Sequence, residues 1–105
     1  MVVMRDVFEV SAARLSDAVP VIRHLEPAGV RAGLGPRRLM IDRSGEYFAR
    51  EESTSRLVIE REYSSFANFS ERMAAARGDA QWLAAWSACR PFVHRAWREV
   101  LDDMA

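Results

Sequence analysis

The chain predicts an α+β fold, in which strand-helix-strand is followed by a second strand-helix-strand and the strands form one antiparallel sheet. Three observations carry this expectation. The segments VVMRDVFEV (2–10) and RLVIEREY (56–63) place apolar residues as strands do. The segments that follow each of them repeat apolar residues at helical spacing. The stretch after Pro91 supplies the fourth strand that such an order requires.

In the first strand Val2, Met4, Phe8 and Val10 fall on one face, with Val3 and Val7 on the other. Both faces are therefore partly apolar, unlike a strand with one side in water. SAARLSDAVPVIRHLEPAG (11–29) then repeats Leu15, Val19, Ile22 and Leu25. Ser16 or Asp17 reads as its N-cap, with Pro20 in or just past the first turn, and Glu26-Pro27 with Gly29 reads as its stop. GVRAGLGP (29–36) carries three glycines but lacks the Lys and Ser/Thr of a phosphate loop, and it reads as a connector. RRLMIDR (37–43) is a strand halted by Ser44-Gly45, and EYFAREESTS (46–55) is a polar connection. In the next strand Leu57, Ile59 and Tyr63 share a face, opposite Val58, Glu60 and Glu62.

SSFANFSERMAAAR (64–77) sets Phe66, Phe69, Met73 and Ala76 on one helical stripe behind a Ser64 or Ser65 cap. Gly78 suits a left-handed stop, and Asp79 caps AQWLAAWSAC (80–89), where Trp82, Leu83 and Trp86 lie together. The tripeptide Arg77-Gly78-Asp79 matches an adhesion motif, but a helix stop followed by a helix cap accounts for it. In CRPFVHRAWREVL (89–101) the spacing of Phe92, Val93, Ala96, Trp97, Val100 and Leu101 favours a helix. As a strand its faces are mixed. The topology pulls the other way, because three strands alone leave the first with an unpaired edge.

The second half of the chain also resembles a known group. A strand ending in Glu62-Tyr63, a Ser-led helix from Ser64 to Arg77, Asp79-Ala80-Gln81-Trp82, and Pro91 before a last segment are similar to NIPSNAP-like and related dimeric α+β barrel proteins. The match covers roughly residues 56–101, and the first half agrees by element order. The resemblance implies a ferredoxin-like domain with its fourth strand near residues 93–101. Together with the topology, it outweighs the helical periodicity. It further implies a homodimer in which the sheet face bare of helices meets its copy, consistent with apolar residues on both strand faces and with the commonness of two-fold assemblies.

Composition bounds the function. The chain has 105 residues, half of them hydrophobic, and is expected to form one domain over 1–105. Fifteen basic residues balance fifteen acids, so nucleic acid is not an expected partner. Every basic residue is arginine, which excludes Schiff-base chemistry on lysine. A lone cysteine fits a reducing compartment. No signal-like segment opens the chain, and no apolar run approaches the ~20 residues of a membrane span. A cytoplasmic location without membrane association is expected.

No catalytic signature stands out. Cys89 and His94 are separated by a proline, with no third orienting residue, and the cysteine reads as a buried apolar side chain. His24 and His94 lie far apart without metal-ligand spacing, so neither metal nor cofactor is expected. Arg5, Asp6, Glu60, Arg61 and Glu62 read as cross-strand partners, although Asp6 shares a face with Met4 and Phe8 and can reach a pocket. Cofactor-free monooxygenases of the antibiotic-biosynthesis type and polyketide cyclases of this fold hold a cavity between sheet and helices. The resemblance implies His94, Trp82, Trp86, Trp97, Tyr63 and Phe66 as its lining, against the plainer reading that these aromatics fill the core. The expected function is binding of a small apolar or aromatic molecule, in bacterial secondary or aromatic-compound metabolism. Two alternatives stand beside it: a cofactor-independent monooxygenase or cyclase using His94 for proton transfer, and a non-catalytic structural or accessory dimer.

Overall fold

Alternation along the first strand sets the architecture. In β1 (Val2–Ser11), Val2, Met4, Asp6, Phe8 and Val10 point to a buried side, and Val3, Arg5, Val7 and Glu9 to the opposite one. The computed structural model of the protein describes residues 1–34, 37–43 and 54–104. Most of the polar connection EYFAREESTS and the end of GVRAGLGP lie outside these residues. Across them run α1 (Leu15–Arg23), α2 (Leu25–Arg31), β2 (Arg37–Asp42), β3 (Thr54–Tyr63), α3 (Phe66–Arg77), α4 (Ala80–Cys89) and β4 (Arg95–Asp102). The strands form one antiparallel sheet in the order β2-β3-β1-β4. The tail is thus a strand, pairing Val2 with Asp102 and Phe8 with Ala96.

The helices cover one side of the sheet. Ala18 and Ile22 of α1, Leu25 and Ala28 of α2, Met73 and Ala76 of α3, and Trp82 and Cys89 of α4 close over Met4, Phe8, Leu57 and Ile59. Each large side chain so buried contributes roughly 1.5–3 kcal/mol. Ser65 accepts a hydrogen bond from the Asn68 N–H at 3.1 Å, and Asp79 Oδ1 accepts one from the Trp82 N–H at 2.8 Å, fixing where α3 and α4 begin.

Four local expectations are corrected. The first helix does not stop at Glu26-Pro27: it breaks at His24 and resumes as α2, with Pro27 in the first turn, where no helical N–H partner is lost. Nor does it begin on a Ser16 or Asp17 cap, since Arg14 is the residue before Leu15, and Pro20 lies inside α1. Gly29 is helical rather than a terminator. A Cβ there would come within 2.5 Å of Arg61 Nη2, so glycine leaves room for a guanidinium. The left-handed residue is Gly33, at φ 84°, where Leu34 N–H reaches back to the Gly29 carbonyl at 2.9 Å. Gly78, by contrast, has φ −89°, because a tightened turn leads straight into the Asp79 cap.

On the side bare of helices, charged residues pair across the strands. Arg5 Nε donates to Glu60 Oε2 at 2.9 Å, and Arg38 donates to Glu60 Oε1. Arg56 bridges Glu9 at 3.4 Å and Asp42 at 4.0 Å, and Arg95 approaches Glu9 at 3.7 Å. The bond from Arg5, then that from Arg38, holds the Glu60 carboxyl below its ordinary value of 4.5, against a smaller upward push from desolvation. A carboxyl lowered by folding stabilises the protein above its unfolded value, and that contribution is lost as pH falls through the folded value. Stability of the wild type should therefore drop steadily below pH 4.5, whereas Glu60→Gln, weaker at neutral pH, should show a flatter profile there. Urea unfolding between about pH 6 and pH 3 would measure both, and parallel profiles would refute the assignment.

Candidate functional site: a cleft between α4 and the edge strand

Trp82 and Trp86 stand one turn apart on α4 and share a face. Trp82 is buried, and Trp86 is half-buried, with ring centres 5.9 Å apart and edge to face. Phe8 of β1 packs on Trp86 at 5.2 Å. After Cys89 a short 3₁₀ turn, Arg90–Phe92, swings the chain toward the sheet. Arg14 holds that turn, donating to the Pro91 carbonyl at 3.1 Å and stacking 4.7 Å from the Phe92 ring. The His94 N–H then donates to the Glu9 carbonyl at 2.8 Å, which starts the pairing of β4 with β1.

This path leaves a cleft between α4 and β4. One hollow, of about 230 Å³, is lined by residues including Phe8, Trp86, Cys89, Val93, His94 and Ala96. A second, also about 230 Å³, is lined by Asp6, Trp86, Ala96, Trp97 and Arg98. The two adjoin at Trp86 and Ala96. Each is smaller than the roughly 300–1,000 Å³ usual for a small-molecule site, and the two share the Trp86 indole in their walls. Within the cleft Asp6 is buried, and Arg98 grips it as a fork: Nε to Oδ1 at 2.6 Å and Nη2 to Oδ2 at 3.2 Å. The Arg98 guanidinium lies 5.8 Å from the Trp86 ring centre. Asp6 is thus paired across the strands and also lines the second hollow.

The other candidates separate. His94 is exposed at the cleft wall and makes no side-chain hydrogen bond to another described residue, so nothing there orients it as a base. Trp82 belongs to the core, where the Arg61 guanidinium lies 5.6 Å from its ring centre. Trp97 borders the second hollow, but its ring is on the helix-free face, with Arg95 at 4.7 Å and Arg56 at 5.7 Å. Tyr63 is buried, edge-on to Phe69, and lines a separate hollow of about 430 Å³ with Gly33, Ser64, Asn68 and Arg72 among its walls. Burial pushes its hydroxyl above the ordinary 10.0, with Arg61 pulling the other way. Phe66 is 54% exposed and lines neither part of the cleft.

Cys89 faces the cleft from the core. Its thiol donates to the Ala85 carbonyl at 3.4 Å, and burial pushes it up to about 11. At neutral pH it is a protonated thiol, not a nucleophile. Iodoacetamide should therefore label native Cys89 far more slowly, by about 100-fold or more at pH 8, than the urea-unfolded chain. Equal rates would overturn this. Among the described residues, no group of His, Cys, Asp or Glu is placed to hold a metal ion.

Arg98, Phe8 and Ala96 are cleft residues that sequence reasoning did not single out. Their signal is the register: once residues 95–102 are laid antiparallel to β1, Arg98 falls opposite Asp6 and Ala96 opposite Phe8.

No family model and no curated protein matches the chain in sequence. Solved structures do match in shape. A NIPSNAP domain protein from Burkholderia xenovorans superposes with a TM-score of 0.72 at 13% identity, over 100% of this chain and 96% of that one. A NIPSNAP family protein of unknown function from Agrobacterium tumefaciens gives 0.72 at 15% identity, over 96% and 86%. An antibiotic biosynthesis monooxygenase gives 0.71 at 9% identity, over the full length of both chains. The chain therefore has the ferredoxin-like α+β fold that these proteins share.

Proposed function

We propose that the protein binds a small apolar or aromatic molecule in the cleft between α4 and β4. The observation that carries this reading is that Trp86 lines both hollows, with Phe8 packed on the indole and the Asp6–Arg98 pair in the wall of one of them. Aromatic walls with a few fixed polar groups are what such a ligand requires. The solved structures of like fold include an antibiotic biosynthesis monooxygenase, which supports a compound of bacterial secondary metabolism, and the Phe8 and Trp86 walls support an aromatic one.

The binder is one cytoplasmic domain spanning residues 1–105, and it works as a homodimer through the helix-free sheet face. The test is titration with 1-naphthol, followed by quenching of tryptophan emission and by calorimetry. Saturable binding that Trp86→Ala strongly weakens supports the reading, and no binding by either method sinks it. His94 lines the same cleft, so catalysis has its own test. Turnover of the bound aromatic with oxygen that His94→Ala loses, in a protein that still binds, would make the chain a cofactor-independent monooxygenase. Binding without product favours the sensor or accessory role.

A further inference from the structure

The helix-free face carries more order than cross-strand pairing needs. Read across β2, β3, β1 and β4, one row is Arg38, Glu60, Arg5, Glu99. Two residues along, the row is Met40, Val58, Val7, Trp97. Two further along, it is Asp42, Arg56, Glu9, Arg95. The ion pairs Arg5–Glu60, Arg38–Glu60, Arg56–Glu9 and Arg95–Glu9 place these charges on one face, as do Arg56 and Arg95 over Trp97. The outer rows alternate plus-minus-plus-minus and minus-plus-minus-plus around an apolar stripe.

Such a pattern is its own complement. A two-fold axis along the strands lays β2 over β4 of a second copy and β3 over β1. Arg38 then meets Glu99, Glu60 meets Arg5, Asp42 meets Arg95, and Arg56 meets Glu9, each pair twice. An axis across the strands also matches opposite charges, but it sets Trp97 on Trp97 at one edge and Met40 on Met40 at the other, a wedge. The axis along the strands sets Met40 on Trp97 at both edges and Val58 on Val7 between them. This keeps the layer even and uses a sulfur–aromatic contact.

We infer that the charge rows, together with the apolar stripe between them, form a self-recognition code that selects a second copy of this chain, in the alignment that places β2 over β4. This rests on the dimer reading above and adds the register and the reason for partner choice. Like charges brought together across an interface reject the wrong partner, and of the two axes that pair opposite charges, the even apolar layer selects the one along the strands.

The test uses two single variants at exposed positions, Arg38→Glu and Glu99→Arg. Each places like charges opposite one another twice in its own dimer, so each should raise the dissociation constant about tenfold or more. Mixed together, the two restore opposite charges at both contacts. Each chain keeps its own internal repulsion in the mixture, so recovery reports only the contact between chains. Analytical ultracentrifugation and native mass spectrometry of the mixture should show a heterodimer with an affinity near that of the wild type. If the wild type dimerises but both variants dimerise equally well, or their mixture stays dissociated, the code is wrong and the dimer stands. A monomeric wild type removes the dimer reading and the code with it.

Discussion

An Arg61→Ala chain loses about 3–5 kcal/mol of unfolding free energy, while Arg61→Met loses no more than about 1.5 kcal/mol. Arg61 sits on β3 with its whole side chain out of water. Its guanidinium lies over Trp82, donates to the Leu25 carbonyl at 3.4 Å and fills the notch left by Gly29. Burial pulls it below its ordinary value, with Tyr63 and then Asp6 acting in the opposite sense. Alanine leaves a hole beneath α2 and Trp82 that these helices cannot collapse. Methionine refills most of that volume, keeps a contact with the indole and removes a charge whose desolvation is costly. Asp6 is not stranded by either change, since Arg98 holds it.

The notch makes a coupled prediction. Gly29→Ala should cost about 2 kcal/mol in the wild type, because a fully buried guanidinium cannot swing away from the new methyl group. In the Arg61→Met background the same substitution should cost less than about half as much, a coupling that a double-mutant cycle in urea reads directly. Equal losses in both backgrounds would show that Gly29 serves helix geometry alone.

Trp86 and Trp97 should separate binding from assembly. Trp86→Ala removes the wall shared by both hollows and its contacts with Phe8 and Trp82. Affinity for 1-naphthol should fall at least about 30-fold, with dimerisation retained. Trp97→Ala removes the largest side chain of the apolar stripe on the other face. It should weaken the dimer about tenfold or more and leave naphthol affinity within about threefold. Calorimetry and ultracentrifugation on both variants decide the matter. Loss of ligand binding in Trp97→Ala would place that indole in the cleft after all.

The sequence made β3 and the second pair of helices legible because their signals are local. Leu57, Ile59 and Tyr63 face the helices, and Ser65 and Asp79 cap α3 and α4 by mechanisms local to a few residues. The tail was ambiguous for a physical reason. As an edge strand that the helices scarcely cover, β4 leaves seven of its eight residues exposed, so neither face imposes alternation on its apolar residues. Its helical spacing matched nothing that the fold uses. Gly29 misled for the opposite reason: what fixes it is Arg61, 32 residues away, and no local rule reports that contact. The cleft was half visible. Trp86, His94 and Asp6 could be named, but the side of the sheet that Trp97 takes, and the role of Arg98, follow only from the register of β4 on β1.

That register has a kinetic consequence. Of the two inner strands, β1 is made first, yet both of its neighbours come late: it pairs with Thr54–Tyr63 and then with Arg95–Asp102. At about 5–20 residues per second of synthesis, β1 waits roughly 3–10 s before β3 exists to shelter its valines. With two of its three strand pairings so distant in sequence, the sheet should form slowly for a domain of this size. Until then the valines of β1 stay open to solvent and to other unfolded chains.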